Sequence, residues 1–366
     1  MRSSVLHRYV LRELLSPFLS ATAVLLSLFY TMVLMRGVEF LLGSAARPTD
    51  WLMLMVSMLP MLLPQVLPIS LLLGVMIGFG RLGEDGELTA LASVGVSARD
   101  LAKPVLTLAT GVCVVLALVV FFFKPWGIAQ MRQTAREVIE RNLLSDLKPG
   151  TVRADLPGIV FHAETVSPGP TWGNVLLIDE RDPSRVSVLT APKGQATFEY
   201  GVGMRFIDGV LVQRASASEY STTSFHEGTL LLNVGEALQR RNTFRFGHEE
   251  LSPQDVLQSA QEAEARGESA VALWSAYHSR LAQLLAPLAL GLLAAALAQG
   301  SRRRRTGTGG LIALGVYCAF FVFTRVGVQL GERGFWAPWM AGYLPVLLAF
   351  GLGLILLYRV ERVGAR

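Results

Sequence analysis

The chain has 366 residues, of which 52% are apolar and 17% charged, a balance too apolar for a soluble protein of this length. Its formal net charge of +5 does not indicate a nucleic-acid binder, because the arginines sit beside apolar windows and form no stripe with interleaved aromatics. Cys113 and Cys318 lie in separate apolar windows, so no disulfide framework is implied.

The N-terminal segment places Arg8, Arg12 and Glu13 before an apolar run from Pro17 to Met35, which is long enough to span a bilayer and lacks a small-residue cleavage site. It reads as an uncleaved first span with Arg36 and Glu39 at its far end. Trp51 to Gly80 is free of charge and longer than the hydrocarbon core requires, so this second span has to tilt, bend or break. Pro60, Pro64 and Pro68 recur every four residues along it, each removing a backbone donor, which predicts a kinked helix packed against protein.

Between the second span and a third, Leu101 to Phe123, lies a polar stretch from Arg81 to Asp100. Glu84, Asp85 and Glu87 open a short segment in which Leu88, Leu91 and Ala92 recur at helical spacing, which predicts a half-apolar helix over 84–97 with acids at its positive end. Such a helix suits a soluble partner, and the pattern equally fits a solvated loop with one turn of helix.

Residues 124–275 have ordinary soluble composition and carry runs rich in β-branched and aromatic residues at 158–165, 174–179, 185–190, 195–200, 209–213 and 221–226, with turn signals between them. These predict an inserted all-β, jellyroll-like domain. Ser252-Pro253 then reads as a helix start leading through a connector over 252–275. Three further spans follow, at about Leu281 to Ala298, Gly309 to Leu330 and Pro338 to Tyr358. The fold class is thus a six-span α-helical membrane protein in a 3+3 arrangement: spans one to three in 1–123, the extracytoplasmic β domain in 124–275, and spans four to six in 276–366.

Thirteen Lys or Arg residues flank one side (Arg2, Arg8, Arg12, Arg81, Arg99, Lys103, Arg302 to Arg305, Arg359, Arg362 and Arg366) against Arg36, Arg47 and Arg333 in the other short loops. The positive-inside rule makes both termini and the 81–100 stretch cytoplasmic, and the large domain extracytoplasmic. Catalytic equipment is missing: no Walker A pattern, no His-Glu-x-x-His, no Gly-x-Ser-x-Gly, and five dispersed histidines. No catalytic residue, metal ligand or bound cofactor is expected, and energy for any work comes from another chain. Arg325, inside span five, is the clearest intramembrane ion, because a charge at that depth faces a cavity or partner.

Arg8-Tyr-Val-Leu-Arg-Glu13, Leu67-Pro-Ile-Ser-Leu-Leu-Leu-Gly74, and Gly80-Arg-Leu followed by Gly86-Glu-Leu-Thr-Ala-Leu-Ala-Ser-Val-Gly95 resemble the LptF/LptG permease family, and the first two look more like its LptF branch. The resemblance implies a transmembrane subunit of the ABC transporter that extracts lipopolysaccharide from the bacterial inner membrane. It implies pairing with an LptG-like permease, drive by two LptB-like cytosolic ATPase subunits that bind the ATP, and delivery to LptC through a periplasmic jellyroll. In that family the loop between spans two and three is the coupling helix, and Glu87 matches its acidic position. Arg36 matches a basic position facing the lipid's phosphorylated head.

Lipopolysaccharide is anionic at its head and apolar in its tails, so Arg36 and Arg325 suit its phosphates, the guanidinium forks pairing with oxygen. Inward-facing Phe161 and Leu177 suit its acyl chains, although a plain packed core has the same pattern. The alternative from another class is an FtsX-like structural or signalling subunit that passes ATPase motion to an extracytoplasmic partner; an intramembrane enzyme is the weakest reading.

Overall fold

A computed structural model describes residues 2–41, 47–145, 149–150, 152–156, 158–167, 171–180, 186–197, 203–214, 220–231, 252–300 and 306–364. Six of its helices are long and apolar enough to cross a membrane, three before and three after an inserted antiparallel sheet, which is the expected fold class. The chain divides into two compact units, one of residues 1–32, 58–127 and 248–366, the other of residues 33–57 and 128–247.

The helices begin with α1 (Arg2–Leu41) and α2 (Pro48–Glu84), whose residues 33–57 belong to the second unit, followed by the short α3 (Glu87–Ser93) and by α4 (Ala98–Leu118). Ser97 caps α4, its hydroxyl accepting from the Asp100 amide. α4 does not stop at Phe123 as expected. A π turn (Val119–Phe123) leads directly into α5 (Lys124–Ser145), and Lys124 is mid-helix. Pro125 accounts for the widened turn, since its ring needs room beside the carbonyl four residues back and it has no N–H to give. After the sheet, Ser252 and Asp255 form the expected capping box on α6 (Pro253–Ala265), with Pro253 at the first position. α7 (Val271–Gln299), α8 (Thr306–Glu332) and α9 (Pro338–Gly364) complete the helices.

Burial divides the spans sharply: 78% of the most apolar window of α2 and 61% of that of α7 lie inside the fold, against 6% for α1 and 11% for α8. The core is accordingly built on α2 (Leu71, Leu72, Val75, Phe79) and α7 (Leu290, Leu292, Ala294 to Ala296), with Val105, Ala109, Val112 and Leu116 of α4. α2 is long, as its uncharged run required, and it does not break at its prolines.

The sheet unit contains six described strands, β1 (Val152–Leu156), β2 (Ile159–Ser167), β3 (Thr171–Asp179), β4 (Ser187–Thr197), β5 (Gly203–Arg214) and β6 (Tyr220–Leu231), antiparallel and side by side in chain order. Two sequence expectations fail here. The runs at 185–190 and 195–200 are not separate strands, because β4 passes straight through Pro192-Lys193-Gly194; and β1, whose charges mask its alternation, was not anticipated.

One crease explains both the continuity of β4 and its misleading pattern. The registers on either side put Glu164, Asn174, Pro192, Asp208 and His226 opposite one another across β2 to β6, and pairing is interrupted at this row in each of those four ladders, in β4–β5 also at the adjoining Ala191–Gly209 position. Asn174 and Asp208 have positive φ, 49° and 56°, a conformation that Asn and Asp tolerate better than most residues. The inward-facing positions shift phase there, from Trp172 to Val175 on β3, from Ala191 to Gly194 on β4 and from Phe206 to Gly209 on β5. All five creased residues are exposed, and Asn174 donates to Glu164 across 2.7 Å while His226 meets Asp208. The opposite face gathers Ile159, Phe161, Trp172, Leu177, Met204 and Phe206 into a core of its own.

Candidate coupling turn and lipid-facing residues

Glu84 is the last residue of α2, and Asp85 and Gly86 make the turn into α3, so two of the three acids do not sit at a helix N-terminus as expected. Gly86 takes φ 75°, a left-handed conformation that ends one helix and begins the next, and only Glu87 occupies the first turn of α3. The helix is also shorter than the expected 84–97, ending at Ser93 before Gly95, which has φ 86°.

The apolar face of α3 looks inward. Leu88 is buried and Leu91 half-buried against the bundle core, leaving Thr89, Ala90, Ser93 and Val94 exposed, Val94 to 75%. Glu87 accepts a 2.6 Å hydrogen bond from the Tyr9 hydroxyl of α1. Nearby, Arg81 and Glu13 stand 4.0 Å apart, Lys103 pairs with Asp100 at 2.7 Å, and Arg99 reaches Glu361 of α9 at 2.7 Å. The turn is therefore anchored to its own bundle on one side and presents small, weakly polar residues on the other. No sequence spacing signals Tyr9, 78 residues from its acid, as part of this site.

Beneath the turn, α1 docks on α2 through two glycines. A Cβ on Gly74 would fall 2.6 Å from the Phe18 Cα, and one on Gly78 would fall 2.7 Å from the Leu14 Cδ2. This Gly-x-x-x-Gly spacing inside an apolar run is a known signal for close helix approach, and the sequence reading overlooked it. Val10, Leu14, Pro17 and Phe18 are the buried stripe of α1, whose other described side chains are half-buried or exposed.

Of the two arginines singled out for lipid, Arg36 lies on α1, but its side chain falls outside the described residues. Arg325 is exposed on α8, with its guanidinium 5.2 Å from the centre of the Phe321 ring. Arg280, near the start of α7, is 9% exposed beside Trp274, Tyr277 and His278, which form edge and stacked contacts with one another. In the sheet, Phe161 and Leu177 are direct cross-strand partners and are 3% and 2% exposed on the inward face, with Phe161 edge-on to Trp172 at 5.0 Å. Among the described residues no group of three or more His, Cys, Asp or Glu side chains converges to hold a metal.

A family profile described as "Lipopolysaccharide export system permease LptF/LptG" matches residues 8–359, which takes in all six spans, the turn and the sheet. The chain belongs to the LptF/LptG family. Among curated relatives, the "Lipopolysaccharide export system permease protein LptF" of Escherichia coli (strain K12) is 28% identical over 200 residues, 53% of this chain and 53% of the relative, and that of Shigella flexneri aligns with the same figures. The chain spans about half the length of the curated relatives it matches. Membership of LptF/LptG, together with six apolar helices, makes the chain an integral inner-membrane protein of a permease family, not of an enzyme family.

Proposed function

We propose that this chain is a transmembrane subunit of an ATP-driven exporter that draws lipopolysaccharide out of the inner membrane and passes it to a periplasmic acceptor. Its partners on this reading are an LptG-like permease, two LptB-like ATPase subunits on the cytoplasmic side and an LptC-like protein. The observation that carries it is that one export-permease profile runs through the spans, the α2–α3 turn and the sheet together. The exposed apolar surfaces of α1 and α8, barely buried within their own chain, are the natural faces for a second permease and for lipid.

In this scheme the outer face of α3 seats in the ATPase, with both termini cytoplasmic and the sheet periplasmic. Because Leu88 is packed in the bundle and Glu87 is bonded to Tyr9, displacement of α3 is delivered directly to α1 and α2. Arg36 and Arg325 meet the phosphorylated head, and Phe161 and Leu177 line the path of acyl chains. Affinity purification of the full chain in mild detergent, with identification of bound protein and lipid, tests this: an ATPase and lipopolysaccharide should come down together. Glu87→Lys should lower both ATPase recovery and export. An ATPase recovered without lipid, at normal yield, would replace transport with a signalling role.

A further inference from the structure

Pro68 opens a place in the α2 backbone that one neighbouring helix fills, and a second helix bonds the carbonyl beside it. Pro68 has no N–H for the carbonyl four residues back, that of Pro64, and its ring crowds the same turn. An unsatisfied carbonyl inside a span is costly. Gln283 of α7 donates its side-chain amide to the Pro64 oxygen at 3.3 Å, and Tyr317 of α8 donates its hydroxyl to the next carbonyl, that of Gln65, at 3.2 Å.

The two donors differ in what they hold. α7 is a buried core helix, whereas α8 is mostly exposed and packs closely on α9 at Gly327 and Gly331 near its C-terminal end, so the Tyr317 bond ties its other half to α2. Tyr317 also begins a column along α8: its ring stacks on Phe321 with centroids 6.2 Å apart, and Phe321 carries the Arg325 guanidinium at 5.2 Å. The column has the i, i+4, i+8 spacing that keeps side chains near one helix face.

We infer that Tyr317 is a positioning residue: by clasping the Gln65 carbonyl of α2, beside the turn that Pro68 opens, it sets the rotation and depth of α8, and through Phe321 it presents Arg325 to an anionic lipid headgroup. Only the last clause rests on the transport reading. Pro68 acts on the Gln283 bond: an ordinary residue there would supply an N–H to the Pro64 carbonyl, whereas the Gln65 carbonyl that Tyr317 binds has its helical donor position at Ile69.

The clasp is tested in the full-length protein in phosphatidylcholine nanodiscs, without partners or lipopolysaccharide. With Cys113→Ser as background, spin labels on the native Cys318 of α8 and on Thr89→Cys of α3 report the distance between α8 and the end of α2. One narrow distribution is expected. Tyr317→Phe, which keeps the ring and loses only the hydroxyl, should move about three- to twentyfold of the population ratio toward a second distance, the effect of one interhelical hydrogen bond in a membrane. Gln283→Leu should lower thermal stability without creating the second distance. Pro68→Ala, which supplies a donor to the Pro64 carbonyl, should make Gln283→Leu milder and leave the effect of Tyr317→Phe in place.

An unchanged distribution in Tyr317→Phe, or the same second distance in Gln283→Leu, would overturn the clasp. Adding lipopolysaccharide to the discs separates the two layers. Tyr317→Phe and Arg325→Ala should weaken its binding severalfold and non-additively. A shifted distance with unaltered lipopolysaccharide binding would leave the clasp standing and remove the lipid from the proposal.

Discussion

Replacing Gly74 by Ala tests whether α1 depends on backbone contact with α2. The added Cβ would lie 2.6 Å from the Phe18 Cα and 2.8 Å from its N, both main-chain atoms that no rotamer change can move. Normal carbon contacts lie at about 3.5–4.0 Å, so α1 must retreat by roughly 1 Å, a gap that already forfeits a quarter to a half of each dispersion contact made by Val10, Leu14 and Phe18. Overpacking of this kind costs about 1–3 kcal/mol. Because Gly→Ala also raises helix propensity by about 1 kcal/mol, the reference is Gly111→Ala on α4, where a Cβ meets nothing within 4 Å. Both substitutions share the propensity gain, and their difference isolates the steric term. Dodecyl sulfate titration of the full chain from maltoside micelles, followed by tryptophan fluorescence, should place Gly74→Ala about 1–3 kcal/mol below Gly111→Ala. Coincident unfolding curves would refute the argument and leave α1 as a helix held by lipid or by its partner.

Arg325→Ala should reduce lipopolysaccharide affinity and lipid-stimulated ATP hydrolysis of the assembled complex while shifting its melting temperature little, and loss of assembly with normal affinity in the surviving complex would make the arginine structural. Arg36→Ala should behave the same way by the same two measurements. A photo-reactive residue at Phe161 or Leu177 should capture lipid during ATP turnover; capture at neither site, or only without ATP, would leave the inward face of the sheet as a plain packed core.

The spans were legible because hydropathy is a local property, and a run such as Trp51 to Gly80 announces itself without any knowledge of its neighbours. What α2 does with its prolines was not legible. The carbonyl that Pro68 leaves open, that of Pro64, takes the side-chain amide of Gln283, 219 positions away, and Tyr317 bonds the carbonyl next to it, so partners far along the chain help the helix survive a composition that would interrupt an isolated one. At the α2–α3 turn, the helical spacing of Leu88 and Leu91 was legible but the way that face points was not: these leucines pack on their own bundle, and Glu87 bonds Tyr9. Glu84 and Asp85 were misplaced because one left-handed glycine, Gly86, moves the start of α3 past them. In the sheet, Pro192 and Gly194 carry the residue types of a turn, and only the rows of neighbouring strands show that β4 runs on.

The crease constrains how this sheet can change over evolutionary time. Its phase shift is shared by five strands, so a residue gained or lost on one side of the row in a single strand would turn that strand's remaining side chains inside out relative to its neighbours. A change in length is tolerable only at the strand ends. The members of the row, Glu164, Asn174, Pro192, Asp208 and His226, are exposed, so their side chains should be exchangeable one at a time, while their positions can shift only as a set. Homologous sheets should therefore differ in the chemistry of this row and in the lengths of their hairpin loops, while keeping the same number of residues between the row and the Phe161–Leu177 pair.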